Sequence, residues 1–264
     1  MDLIHGECLV ELKKLEDKSI DFFYLDLPYG QTACKWDNKI DLTSLWIQLK
    51  RLAKNERTAF FFSCTTKFGY ELIKANEKYF RWDLVWEKNR ASGFLNAYKL
   101  PMRKHEMVYC FAKKCPEYDV SSHSEFTIES KNRKKAMKLE THNNQTINKT
   151  AKVHKERLPT SVCEIYKTPR LKDRTNHKEK LPTSVLPSSW VKCPVDSKTN
   201  HRTSKPVPLM EFLLKYWTKE GDIICDPTMG AGSMGVACKN MNRKFIGIEL
   251  DEDIYNIAFE RIIE

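Results

Sequence analysis

Ile223-Ile224-Cys225-Asp226-Pro227-Thr228-Met229-Gly230-Ala231-Gly232-Ser233-Met234-Gly235 reads as strand, loop and helix. A short apolar run ends in an acid, passes through a glycine-rich turn, and enters a helical pattern at Val236, Ala237 and Cys238. The next apolar run, residues 244–250, again ends in an acid, Glu249, followed by Leu250. Gly230, Gly232 and Gly235 fit the spacing GxGxxG, with Glu249 about 20 residues further on, as a site for an adenosine-containing cofactor requires. The glycines let the backbone approach the ligand, and the carboxylate accepts from ribose hydroxyls.

A dinucleotide needs a second mononucleotide-binding half, and after Glu249 the sequence offers one helix-length segment, 251–264. Either the ligand is smaller than a dinucleotide, or the rest of the sheet comes from the N-terminal part of the chain. Asp226 at the strand tip would repel a pyrophosphate and suits a cationic ligand, such as the ammonium and sulfonium of S-adenosylmethionine.

The 264 residues suffice for one large α/β domain with an insertion. No long apolar run or signal-peptide pattern is present, so a soluble, intracellular protein is expected. Nine cysteines without a CxxC pair argue against a disulfide framework and against a zinc site, so no metal is expected. The net charge is +10 and is unevenly placed. Residues 113–205 hold 21 Lys plus Arg against 10 Asp plus Glu, while the remainder holds 24 against 25. The excess lies in one insertion, which points to a polyanionic partner bound there.

From the N-terminus, residues 1–15 read as a short strand, a polar turn and a helix carrying Leu9, Leu12 and Leu15. Residues 19–27 form a continuous apolar run, as a buried parallel strand does, and lead into Asp26-Leu27-Pro28-Tyr29. An acid, a proline and an aromatic at such a strand tip lie where open α/β sheets bind ligands. Leu42, Leu45, Trp46, Leu49 and Leu52 mark a helix. A strand at 58–63, a helix at 67–76, and strands at 81–87 and 106–112 complete a layered, mostly parallel sheet. His105-Glu106 has the composition of a metal or acid–base pair, but neighbours on a strand face opposite ways, so the structural reading is preferred. Beyond residue 113 periodicity dissolves, and the nonamer at 154–162 recurs nearly unchanged at 177–185. Order returns with a helix at 207–217, after Thr203-Ser204-Lys205-Pro206.

In this order the pieces resemble the beta-type, permuted amino-methyltransferases of DNA, in their phage-like branch. Asp26-Leu27-Pro28-Tyr29 resembles that family's Asp-Pro-Pro-Tyr, and Asp226-Pro227-Thr228-Met229-Gly230-Ala231-Gly232-Ser233 its Asp-Pro-Phe-x-Gly-Ser-Gly-Thr. Thr203-Ser204-Lys205-Pro206 is similar to its Thr-Gln-Lys-Pro, and Gly6-Glu7-Cys8-Leu9 to its Gly-Asp-Cys-Leu. Pro101-Met102-Arg103-Lys104-His105-Glu106 resembles a phrase of the phage-type members. Leu27, Thr228 and Glu7 depart from the pattern, and Thr228 removes an aromatic beside the cofactor.

The resemblance implies a Rossmann-like S-adenosylmethionine-dependent α/β sheet with helices on both faces, and three segments: a catalytic half at 1–112, a basic target-recognition insertion at 113–200, and a cofactor-binding half at 201–264. It implies methyl transfer from S-adenosyl-L-methionine to adenine N6 in duplex DNA after base flipping. Asp26 and the Leu27 carbonyl would accept from the amine, Pro28 would fix the turn, and Tyr29 would stack on the base. For the cofactor, Glu249 and Leu250 would serve the ribose side and Glu7 with Cys8 the adenine edge. Asp226, Pro227, Thr228, Gly230, Ala231, Gly232 and Ser233 would surround the methionine end, with Lys205 on its carboxylate. Lys131, Arg133, Lys134 and Lys135 would contact DNA. A homodimer and a cognate restriction endonuclease are the further partners implied. Competing readings are a cytosine-N4 or RNA adenine methyltransferase, a catalytically silent nucleic-acid-binding subunit, and a nicotinamide-dependent oxidoreductase.

Binding to duplex DNA should weaken steeply with salt, and neutralising Lys131, Arg133, Lys134 and Lys135 should flatten the log–log slope by roughly one unit per lost phosphate contact. A slope unchanged in the quadruple variant would place the contact elsewhere.

Overall fold

The computed structural model describes residues 1–31, 37–119 and 204–263, with the backbone alone at 89–90, 125–129, 150–154 and 162–163. The chain divides into two compact units, residues 1–118 with 160–264, and residues 119–159. The first unit contains β1 (Asp2–His5), α1 (Cys8–Leu12), β2 (Phe22–Leu25), α2 (Leu42–Leu52), β3 (Ala59–Cys64) and α3 (Thr66–Ala75). It continues with β4 (Phe80–Ser92) and β5 (Arg103–Phe111). The second unit contributes β6 (Glu125–Glu129) and β7 (Thr150–His154), an antiparallel pair. The first unit resumes with β8 (Val162–Cys163), α4 (Val207–Trp217), β9 (Ile223–Asp226), α5 (Ser233–Asn240), β10 (Lys244–Glu249) and α6 (Glu252–Ile263). The basic run 131–135 and both copies of the nonamer lie outside the described residues, apart from the backbone of 154 and 162.

Eight strands pair in the order β1-β10-β9-β2-β3-β5-β4-β8. From β1 to β3 every pairing is parallel; β5 is antiparallel to both β3 and β4, so the sheet is mixed. N-terminal strands β1 and β2 thus flank the C-terminal pair β10 and β9, and supply the half-sheet that the C-terminal segment lacks.

The apolar runs are continuous because both faces are covered. Phe22, Tyr24 and Phe61 face Leu209, Leu213, Met234 and Ile262 of α4, α5 and α6. Phe23, Leu25, Phe60 and Phe62 face Leu12, Leu45, Trp46, Leu49 and Leu72 of α1, α2 and α3. Three helices, α2, α3 and α6, start at a side-chain cap: the Asp41 carboxylate accepts from Ser44 N–H at 2.8 Å, Thr65 Oγ1 from Phe68 N–H at 3.3 Å, and the Asp251 carboxylate from Ile254 N–H at 3.0 Å.

Several boundaries differ from the sequence reading, and β6, β7 and β8 fall in the stretch where periodicity dissolves. The strand expected at 19–27 spans Phe22–Leu25, with Ile20 making a separate bridge to Ala53, so Asp26 lies just past its C-terminal end. The strands expected at 81–87 and 106–112 are longer and form one hairpin, with a bulge between Glu87 and Ser92. Residues 88–92 carry no apolar period; the ladder is irregular there and resumes at Ser92, which registers with Arg103, a cross-strand match that a local pattern does not encode.

Gly235 lies within α5, where alanine would ordinarily stabilise a helix by about 1 kcal/mol. Here a Cβ would stand 2.3 Å from Ile262 Cδ1 and 2.9 Å from Phe245 Cε1. Gly235→Ala is therefore expected to destabilise by roughly 1–3 kcal/mol through overpacking, measurable by denaturant unfolding. A stabilised variant would contradict the packing of α5 against α6 and β10.

Candidate active site

Parallel pairing brings the C-terminal ends of β1, β10, β9 and β2 to one edge of the sheet. The loops leaving these strand ends enclose one cavity of about 1000 Å³. Its wall includes Glu7 and Cys8 after β1, Asp26, Leu27, Pro28 and Tyr29 after β2, and Asp226, Pro227, Thr228, Gly230, Ala231 and Ser233 after β9. Glu249 and Leu250 at the end of β10 and Lys205 ahead of α4 complete the set. Of the catalytic and cofactor residues singled out from sequence, Gly232 alone is not part of this wall; it caps α5 with φ +76°. Lys131, Arg133, Lys134 and Lys135 fall outside the described residues.

The glycine turn is held from β10. Gly230 N–H donates to Glu249 Oε2 at 3.0 Å, and Asp251 N–H to Glu249 Oε1 at 2.9 Å. Met229 N–H donates to the Ile248 carbonyl at 2.9 Å. Gly230 has φ +52°, and among the described residues no heavy atom beyond its own chain neighbours lies within 4 Å of where a Cβ would stand, so its missing side chain leaves space above the turn. Next to β10, where Gly6 N–H donates to the Glu249 carbonyl at 2.9 Å, the Glu7 carboxylate caps α1, accepting from Leu9 N–H at 3.0 Å and Val10 N–H at 2.8 Å. Burial, reinforced by Glu7, pushes the Cys8 thiol up to about 12, so it is a neutral wall rather than a nucleophile.

Asp26 is the electrostatic centre. Tyr29 Oη donates to Asp26 Oδ1 at 3.0 Å, the Tyr29 ring packs on Phe68 at 5.1 Å, and the Lys205 ammonium donates to Asp26 Oδ2. Lys205 Nζ also lies 3.6 Å from Glu106 Oε2, and Lys88 Nζ lies 3.2 Å from Glu106 Oε1. Burial alone would lower the Lys205 pKa and raise that of Glu106. Asp26 and Glu106 outweigh it at the lysine, and Lys205 and Lys88 outweigh it at the glutamate, so both groups stay charged. The turn after Tyr29 is pinned by Asp37, whose carboxylate accepts from Gly30 N–H at 2.7 Å and Gln31 N–H at 2.8 Å.

Glu106 and Lys88 were missed from sequence. The alternation rule was sound, but it removes only one member of His105-Glu106 from the cavity. Glu106 pairs with Trp86 across the hairpin, and Trp86, Lys88 and Glu106 all line the cavity. His105 pairs with Glu87 on the neighbouring register. Among the described residues no group of three or more His, Cys, Asp or Glu could hold a metal ion, and no helix is long and apolar enough to cross a membrane. Lys205, expected at a ligand carboxylate, has its ammonium on Asp26 and Glu106.

A profile of the DNA methylase family matches residues 20–260. Among curated proteins, the type II methyltransferase M.HinfI of Haemophilus influenzae is 23% identical over 99% of this chain and 68% of its own length. The DNA adenine methyltransferase YhdJ of Escherichia coli K12 is 25% identical over 98% of this chain and 82% of its own. The type II methyltransferase M.HindIII of Haemophilus influenzae is 42% identical, but the match spans 27% of this chain and 23% of that protein. Among solved structures, the M1.HpyAVI–SAM complex superposes with a TM-score of 0.60 at 19% identity, covering 99% of this chain and 98% of that one. The cytosine-N4-specific PvuII DNA methyltransferase superposes with a TM-score of 0.62 at 13% identity, covering 99% and 86%. At these identities the structural likeness is one of fold.

Asp226 is 2% exposed. Burial, with Asp26 and Glu249 nearby, pushes its carboxyl well above the usual value, against the opposing Thr228 N–H and Lys205. The folded chain therefore keeps this proton to higher pH than the unfolded chain, and ionisation disfavours folding as pH rises above the ordinary carboxylate range. Asp226→Asn, which mimics the protonated side chain, is expected to melt a few degrees above wild type at neutral pH, with the two converging below about pH 4. A difference that does not vary with pH would contradict this sign.

Proposed function

The chain belongs to the DNA methylase family, and we propose that it transfers the methyl group of S-adenosylmethionine to the N6 amine of adenine in duplex DNA. The observation that carries this reading is the shared cavity in which Asp26-Leu27-Pro28-Tyr29 faces the glycine turn and Glu249. The residues fit such a cofactor. The open space at Gly230 admits a ligand to the backbone, Glu249 stands at the tip of β10 for ribose hydroxyls, and Thr228 Oγ1 is a buried hydroxyl with no hydrogen-bond partner among the described residues. Glu7 and Cys8 would border the adenine, and Asp226 the ammonium end. When bound, S-adenosylmethionine supplies an electrophilic methyl group on a sulfonium.

An exocyclic amine is a poor nucleophile because its lone pair is delocalised into the ring. The Asp26 carboxylate offers about four lone-pair sites, so the bonds from Tyr29 and Lys205 leave room for an amine N–H. With the Leu27 carbonyl accepting the second N–H, the amine is drawn toward tetrahedral geometry and its lone pair is aimed along one direction. Lys205 holds the Asp26 carboxylate in place by direct ion pairing, and Glu106 shares the lysine charge. As positive charge develops on the amine, Asp26 and Glu106 stabilise it in a largely water-excluded wall. The target amine is stacked inside a duplex, so the base must leave the helix, at a cost of a few kcal/mol. YhdJ, 25% identical over 98% of this chain, is named for adenine.

Unmethylated duplex DNA incubated with the protein and S-adenosylmethionine should yield N6-methyladenine by nucleoside mass spectrometry, and Asp26→Ala should lower the yield at least about 100-fold while retaining cofactor binding. N4-methylcytosine would keep the mechanism and change the base. Activity surviving in Asp26→Ala would remove Asp26 from the reaction.

A further inference from the structure

The turn joining β4 to β5 displays apolar side chains to solvent: Phe94 is 74% exposed, Leu95 83%, Tyr98 81% and Leu100 63%. The display is held by the backbone. Gly93 turns the chain with φ +90°, Phe94–Asn96 form a 3₁₀ turn, Ala97 N–H donates to the Phe94 carbonyl at 3.1 Å, and Leu100 N–H to the Asn96 carbonyl at 2.9 Å. Such a cluster disfavours the isolated chain unless a partner covers it. Its surroundings select that partner. Residues 88–105 contain no Asp or Glu; Lys88 and Lys104 pair with Glu106 and Glu87 of the hairpin, while Lys99 and Arg103 are exposed beside the apolar groups and give the turn its positive charge. A second copy of the same basic turn would be repelled, whereas a polyanion whose interior is built of flat, apolar rings suits both features.

Position selects the role. Ala91 and Ser92, immediately before the turn, line the active-site cavity, and Ser92 is itself exposed, so the cavity reaches the surface at the root of the turn. Ser92 Oγ is held from both sides, by Lys88 Nζ at 3.1 Å and by the Arg103 carbonyl at 3.3 Å. Resting on the reading of the cavity as a DNA methyltransferase site, we propose that residues 93–100 are the wedge that enters the duplex beside the target base. Phe94, Leu95 and Tyr98 occupy the space the extruded base leaves, while Lys99 and Arg103 hold the flanking phosphates. Apolar side chains inserted between base steps offset the loss of stacking in this way.

A wedge matters for paired DNA and little for strands already open. The test compares methylation of native and heat-denatured preparations of the same unmethylated DNA by the wild type and by the triple variant Phe94→Ala, Leu95→Ala, Tyr98→Ala. The expected result is a loss of roughly tenfold or more on native DNA and less than about threefold on denatured DNA, with melting temperature and cofactor binding retained. Phe94→Trp, which keeps a stacking face, should retain the native-DNA rate. Equal losses on both substrates, or no loss on either, would overturn the wedge. So would a wild-type dimer that the triple variant converts to monomer, since the turn would then join two copies. Failure of the wild type to methylate either DNA would instead overturn the reading of the cavity.

Discussion

The site depends on the pairing of β9 between β2 and β10. A strand buried on both faces cannot leave its backbone groups without partners, because each buried, unpaired N–H or carbonyl costs on the order of 1–3 kcal/mol. Strand β9 meets that demand by drawing on both ends of the chain. Phe22 and Phe23 register with Ile224 and Cys225, and Ile223 to Asp226 register with Lys244 to Gly247. The Asp21 carboxylate extends the contact by accepting from Ile223 N–H at 3.0 Å, and Lys54 lies 2.7 Å from it. Asp26 and Asp226, two hundred residues apart in sequence, arrive at one edge as a result.

That convergence creates an electrostatic difficulty. Asp26, Asp226 and Glu106 meet in a poorly solvated wall, where like charges repel strongly and isolated charges are unfavourable. Two different solutions coexist. Lys205 and Lys88 neutralise Asp26 and Glu106 by direct pairing, which holds the Glu106 carboxyl below its usual range. Asp226, which lacks such a cation at contact distance among the described residues, has its carboxyl pushed up instead. A cationic ligand beside Asp226 would favour its ionised form, so binding of such a ligand would be coupled to proton release at this position.

The same hairpin serves two ends. Its buried half, with Trp86 and Glu106, closes the cavity wall; its far end carries Phe94, Leu95 and Tyr98 into solvent. The bulge between Glu87 and Ser92 separates the two, where the regular ladder gives way to the exposed turn. The cavity wall and the exposed apolar turn are thereby carried by one hairpin.

Much of this was legible in the linear chain. The apolar run of β9, the glycines at 230, 232 and 235, and the acids at 26, 226 and 249 follow from local rules: a buried strand needs continuous apolar residues, and a tight turn needs a residue free of a Cβ. The helices at 42–52 and 207–217 announce themselves by period. Glu106 and Lys88 did not, because alternation on a strand tells only that neighbours face opposite ways, and which face meets the cavity depends on the partner strand. Sequence by itself determined the elements and the chemistry carried at their tips. Tertiary structure decided the order of the strands, the pairing of Lys205 with Asp26 and Glu106, and the exposure of residues 94–100, because long-range pairing, burial and desolvation exist only once distant segments are in contact.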